Sequence, residues 1–119
     1  MTKQRYILED GLLLIEKDDD RYDEFIKHKK ETGISPDEAW SLDYSIAIFI
    51  LPRLRLFKEN KAGYPGCFNS IEEWDEVLDN MINAFNIIVT EDCCFFGEDE
   101  TTVEKGLNDF RDYFLSLWS

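Results

Sequence analysis

A single histidine, three cysteines and three prolines are spread over 119 residues, and no apolar run approaches the ~20 residues that a membrane span requires. His28 stands among Lys27, Lys29 and Lys30, the setting of a solvated surface side chain rather than a catalytic or metal-binding one. Cys67, Cys93 and Cys94 are odd in number and two are adjacent. Adjacent thiols close only a strained ring, so a disulfide framework is disfavoured and a reducing compartment is expected. The same adjacency speaks against zinc, which needs two sulfurs spaced to face one ion, and Glu98-Asp99-Glu100 lacks the alternating oxygen positions of a calcium loop. No cofactor or metal is expected. Gly-x-Ser-x-Gly, His-Glu-x-x-His and a phosphate-cradling glycine loop are all missing, and carboxylates on an exposed helix face, such as Glu72 with Asp75 and Glu76, solvate the helix more often than they catalyse. The chain therefore reads as a non-enzyme. Basic residues are also scarce: 13 Lys and Arg stand against 26 Asp and Glu, a formal charge of -13. Such a balance opposes attraction to nucleic acid and to anionic membranes, and with no targeting segment in view a cytoplasmic protein is expected.

What is present is enough for a core. The composition is 44% hydrophobic and 14% aromatic, which suits one folded domain over residues 1–119, alone or as a small homo-oligomer. Residues 5–16 carry two short apolar runs around Asp10-Gly11, a dipeptide that favours a tight turn; a β-hairpin or a short helix fits, so residues 1–19 form a hairpin or an arm. The acids Asp18, Asp19 and Asp20 are placed to cap a first helix over about 20–31, ending near Thr32-Gly33. Ser35-Pro36 has the form of an N-cap followed by a first-turn proline. From Leu42 to Phe57 the chain is apolar nearly all round, with Pro52 inside it, so the element either kinks as a helix or breaks from strand to helix. After a turn-rich loop containing Gly63-Tyr64-Pro65-Gly66, Ser70-Ile71-Glu72-Glu73 has the spacing of a capping box. Ile71, Trp74, Val77, Leu78, Met81, Ile82, Phe85 and Ile88 then make one helical stripe. Thr101-Thr102-Val103-Glu104 has capping spacing again and opens a last helix over about 102–117 with an aromatic face. The fold class expected is mainly α, a bundle of about four helices, with Ile46, Phe49, Leu54, Trp74, Leu78, Met81, Phe85, Phe110 and Phe114 at its core.

Three stretches together resemble a known group: Trp40-Ser41-Leu42-Asp43 running into Leu51-Pro52-Arg53-Leu54, then Glu72-Glu73-Trp74 through Met81-Ile82 to Ala84-Phe85, and Gly106-Leu107-Asn108-Asp109-Phe110 with Leu117-Trp118. The pattern, over about residues 40–118, is similar to small acidic proteins of tailed phages and prophages. The resemblance implies a phage-encoded accessory protein made in a bacterial host, and with it inhibition of a bacterial defence system, since phage inhibitors of host defence often work by mimicry. It supplies no catalytic residue.

Charge is partitioned along the chain. Between Ile71 and Glu104 there are eleven acidic residues and no Lys or Arg. Helix-dipole compensation explains part of this. The functional reading is a docking face for a host protein with a basic surface, with Glu72, Asp75, Glu76, Asp79, Glu98, Asp99 and Glu100 as the contact residues. Arg53, Arg55, Lys58 and Lys61 form a smaller basic cluster after Pro52. Either they pair with the acidic helix, or Arg53, Arg55 and Lys58 with Trp40 and Tyr44 hold an anionic nucleotide, the guanidinium forking onto phosphate while a ring stacks the base.

Overall fold

The computed structural model describes residues 6–8, 11–13, 15–91 and 96–118, the first two segments by their backbone alone. Among these residues the chain is mainly helical, with four α-helices: α1 (Tyr22–Thr32), α2 (Leu42–Asn60), α3 (Ile71–Glu91) and α4 (Glu98–Tyr113). Single 3-10 turns cover Pro36–Ala39 and Phe114–Ser116. Two short backbone segments, Tyr6–Leu8 and Gly11–Leu13, pair antiparallel with Tyr6 opposite Leu13. Glu9 and Asp10, and with them the turn expected at Asp10-Gly11, lie outside the described residues. The chain divides into two compact units, Met1–Phe49 and Ile50–Ser119, with α2 running through the boundary.

In the first unit the acids before α1 do not cap it. Arg21 occupies the N-cap position with no side-chain bond to the helix. Asp19 instead accepts hydrogen bonds from the Arg21 backbone N–H at 2.9 Å and from its guanidinium at 3.0 and 2.9 Å, and that bond raises the Arg21 pKa further. α1 buries Phe25 against Ile15, with Tyr22 and Ile26 packed alongside, and stops at Gly33, whose φ of 89° is a left-handed conformation that glycine adopts without steric cost. Ser35 and Pro36 then open the 3-10 turn as their types predict.

α2 remains helical through Pro52, so the strand-to-helix alternative is set aside. A proline inside a helix costs about 3 kcal/mol, and burial of Ile48, Leu51 and Leu54 around it works against that loss. The helix is apolar on most of its circumference, yet only one side is buried: Tyr44, Ala47, Ile48, Leu51 and Leu54. Ile46 and Phe49, expected in the core, are 48% and 51% exposed. A uniformly apolar helix gives no periodic signal of which side turns to solvent, and here the choice fell the other way.

In the second unit the stripe on α3 is realised: Trp74, Leu78, Met81 and Phe85 are at most 4% exposed. Trp74 is walled by Phe57, Phe68 and Tyr113, whose ring centres lie 6.5, 5.5 and 6.0 Å away. Half of the capping box forms as expected, the Glu73 N–H donating to the Ser70 hydroxyl at 3.3 Å. The Glu73 carboxylate reaches the Asn69 N–H, one residue further back. α4 begins at Glu98, a turn before the Thr101 start that the capping spacing predicts. Glu98, Asp99 and Glu100 fill its first turn, where carboxylates favour the helix dipole, and Thr101 bonds back to the Gly97 carbonyl from inside the helix. Phe85 with Phe110, Asn80 with Asp109 and Trp74 with Tyr113 establish that α3 and α4 pack antiparallel. They approach closely at Gly106, where a Cβ would overlap Ala84 and the Asn80 carbonyl. Phe114, expected in the core, is 55% exposed, touching Phe110 by one edge.

Candidate functional site

The acidic residues of α3 fall on two sides of the helix. Asp75 and Asp79, four residues apart, meet the basic residues at the end of α2: the Lys58 ammonium donates to Asp79 at 2.7 Å, and Lys61 forms an ion pair with Asp75. The bond to Asp79 raises the Lys58 pKa above its ordinary value; burial opposes that shift, and attraction from Asp79 and Asp75 adds to it. Lys61 also donates to the Lys58 carbonyl at 2.9 Å. Glu72 and Glu76, on the remaining side, are exposed. Glu98, Asp99 and Glu100 stand elsewhere. Antiparallel packing carries them to the end of the helix pair where α3 finishes at Glu91, roughly 25 Å from Trp74 at 1.5 Å per residue. The seven residues expected to form one docking face therefore form three groups: two acids neutralised by lysines, two exposed acids near the start of α3, and an acidic cluster at the joined ends of α3 and α4.

That cluster contains Glu91, Glu98, Asp99, Glu100 and Glu104, and among the described residues no ion pair holds any of them. The dipole accounts for the three acids in the first turn of α4. It does not account for Glu91, which sits at the C-terminus of α3, where a carboxylate is disfavoured and no basic residue is present in the last turn. Asp92, Cys93, Cys94 and Phe95, between the two helices, lie outside the described residues.

The basic cluster is largely committed within the second unit. Besides Lys58 and Lys61, Arg55 approaches the Asn86 side-chain oxygen at 3.4 Å. Trp40 and Tyr44, the rings expected beside these cations, belong to the first unit. Trp40 packs edge-on to Phe25 at 5.7 Å with the Arg21 guanidinium 4.8 Å over its ring, and Tyr44 is 9% exposed. Arg53 is exposed on α2. Pairing of the cations with α3, one of the two readings of this cluster, is what Lys58 and Lys61 do.

Each unit also carries a concavity. One, of about 400 Å³, lies in the second unit between Lys61, Tyr64, Pro65, Ser116 and Trp118 with Trp74 as its floor. The other, of about 280 Å³, lies in the first unit and is lined by Ile34, Glu38, Ala39, Leu42, Ile46 and Phe49, with Ser35 and Ser45.

Beneath this second groove is a polar network that sequence reasoning missed. Lys29 is 5% exposed, and its ammonium donates to Glu38 at 2.7 Å. The same carboxylate oxygen accepts the Ser35 N–H at 2.8 Å, and the Glu38 carbonyl accepts the Ser45 hydroxyl at 2.7 Å. Glu38 thus ties α1, the 3-10 turn and the start of α2 together. Its signal was available: Ser35-Pro36-Asp37-Glu38 has the Ser-x-x-Glu spacing also present at residues 70–73. His28 is exposed as expected, its Nδ1 2.7 Å from the Ile34 carbonyl. Cys67 is exposed, and no metal-ligating group of three side chains occurs among the described residues. Nor is any described helix long and apolar enough to cross a membrane. No family model, curated protein or solved structure matches this chain.

Proposed function

We propose that this chain is a non-enzymatic accessory protein that docks onto a basic surface of a host protein through the acidic end of the α3–α4 pair. The observation that supports it is the separation of the carboxylates: lysines neutralise Asp75 and Asp79, while Glu91, Glu98, Glu100 and Glu104 collect at the other end, where among the described residues no ion pair holds them. Uncompensated charge of one sign speeds encounter with a surface of the other sign and rejects acidic competitors. Phage origin and inhibition of a bacterial defence system, as parts of this proposal, rest on the resemblance of residues 40–118. The competing nucleotide-binding reading loses Lys58 to Asp79, and its remaining residues fall in both units.

The test is affinity capture from bacterial lysate at low and high salt with three baits: the natural chain, a Glu98→Lys, Glu100→Lys, Glu104→Lys variant, and a Glu72→Lys, Glu76→Lys variant. The proposal expects a partner that the first variant and high salt both release and the second variant retains. A partner retained by the first variant and indifferent to salt overturns docking through this end.

A further inference from the structure

The concavity in the second unit brings together two aromatic rings outside the ring packing of that unit and a cation that is almost fully buried. Elsewhere in the unit the rings pack on one another around Trp74 and Phe110. Among the described residues Tyr64 and Trp118 take no part in that packing; they are 46% and 77% exposed, and both line the concavity. Its walls are held in place. Pro65 restricts the Tyr64 backbone to extended conformations, and the Pro65 carbonyl accepts the Phe68 N–H at 3.1 Å. Just before Trp118, the Leu117 N–H donates to the Phe114 carbonyl at 3.2 Å.

Lys61 supplies the polar group. Its side chain is 8% exposed and lines the same concavity. Of the three N–H groups on an ammonium, one here donates to the Lys58 carbonyl at 2.9 Å. Asp75 balances the charge, yet the Asp75 oxygen beside the ammonium accepts no hydrogen bond. Donor capacity is therefore left over on a buried group, and a buried donor without an acceptor is costly.

We propose that this concavity binds an uncharged planar heterocycle of one or two rings that carries a hydrogen-bond acceptor at its edge. Tyr64 and Trp118 offer faces for stacking, and Lys61 offers a donor to the acceptor. Charge selects the neutral form. With Asp75 balancing Lys61, an anion meets the repulsion of a chain at -13, and a cation meets the ammonium at close range. Volume limits the size, since about 400 Å³ is near the lower end of the range for small-molecule sites, about 300–1,000 Å³. The site uses none of the acids at the joined ends of α3 and α4, so it stands or falls independently of docking through them.

The test follows the indole N–H signals of the three tryptophans of the full chain by NMR. The probe titrated in is caffeine, an uncharged two-ring heterocycle with carbonyl acceptors. Trp74 and Trp118 are expected to shift together and saturate, while Trp40, 55% exposed in the first unit, stays in place. Indole, a planar pair of rings without a comparable acceptor, is expected to bind about tenfold more weakly. Trp118→Ala, at a position exposed enough to spare the fold, is expected to weaken caffeine binding about tenfold or more, read at Trp74. Lys61→Met is expected to erase the preference for caffeine over indole while leaving indole binding unchanged. If circular dichroism shows Lys61→Met unfolded, the preference of the natural chain and the Trp118→Ala variant decide. The Glu98→Lys, Glu100→Lys, Glu104→Lys variant is expected to bind caffeine as the natural chain does. Absence of a saturating shift, an equal shift at Trp40, or equal affinity for indole overturns the proposal. Caffeine binding undiminished in a folded Trp118→Ala or Lys61→Met variant overturns it as well.

Discussion

The two units of this chain are organised by different physics. In residues 50–119 a long helix presents one apolar stripe, a second helix packs antiparallel to it, and Trp74, Leu78, Met81 and Phe85 close almost completely. In residues 1–49 the elements are short, and much of the organisation falls to a polar hub: Lys29, Ser35, Glu38 and Ser45 bind one another, Ser35 also donates to Asp37, and the apolar side chains of the groove stay half exposed. Apolar burial tolerates small errors of position because it has no direction. A buried ion pair does not: its attraction offsets the loss of hydration only while both partners keep good geometry. The first unit should accordingly be the more sensitive to polar substitution, and the second to changes of volume.

The largest expected effect is in the second unit. Trp74→Ala removes a ring that is 1% exposed and touches three other aromatic residues, and should cost about 3–5 kcal/mol in urea unfolding; an unchanged midpoint would show that the aromatic cluster is not the anchor of this unit. Next is Lys29→Met in the first unit, which leaves the Glu38 carboxylate without its cation. A loss of about 3 kcal/mol is expected, with part recovered when Glu38→Gln is added, because a neutral pair carries no unpaired charge. If the double variant is no better than the single one, the contribution of Lys29 is packing of its stem. Gly106→Ala comes third. In an open helix alanine would gain up to about 1 kcal/mol over glycine, yet here its Cβ overlaps Ala84 and the Asn80 carbonyl, so a net loss of about 1–3 kcal/mol is expected. A gain would mean that α3 and α4 separate without penalty.

The smallest effect is titratable. The folded protein holds the Lys58 pKa above its unfolded value through the bond to Asp79, so the contribution is complete below about pH 10.4, the ordinary lysine value, and fades as pH rises through the raised one. Both side chains are partly exposed, which limits the pair to about 1 kcal/mol or less. The stability difference between the natural chain and Lys58→Met, followed from pH 9 upward, should shrink toward zero at the alkaline end. A constant difference would assign the effect to the apolar stem of Lys58.

The same contrast explains what was legible in the residues. Helix α3, its capped start and its buried side could be read from spacing, because one face carries the apolar residues and the others carry acids. Helix α4 was recognisable, but its start was set a turn too late: Thr101 through Glu104 match a capping pattern, and three acids that the dipole favours already lie in the turn before it. In α2 the apolar residues were visible and their orientation was not, since nearly every side chain over residues 46–51 is hydrophobic. The Lys29–Glu38 pair left no periodic mark, joining residues nine apart on different elements. The candidate site fared similarly. Acidic composition was plain, whereas the sorting of Asp75 and Asp79 toward lysines and of Glu98, Asp99 and Glu100 to the far end depends on helix packing.

The two sheltered ammonium groups give each unit a chemical label of its own. Lys29 stands between Lys27 and Lys30, both exposed, and is itself 5% exposed; the Lys61 side chain is 8% exposed in the second unit. An amine-acylating reagent should modify Lys27 and Lys30 at once, and Lys29 and Lys61 only when their surroundings open. Peptide mapping of the acylated protein therefore reads the opening of the two units as separate clocks. Equal rates at Lys29 and Lys61 would reveal one cooperative molecule, and unequal rates a chain whose two halves breathe independently.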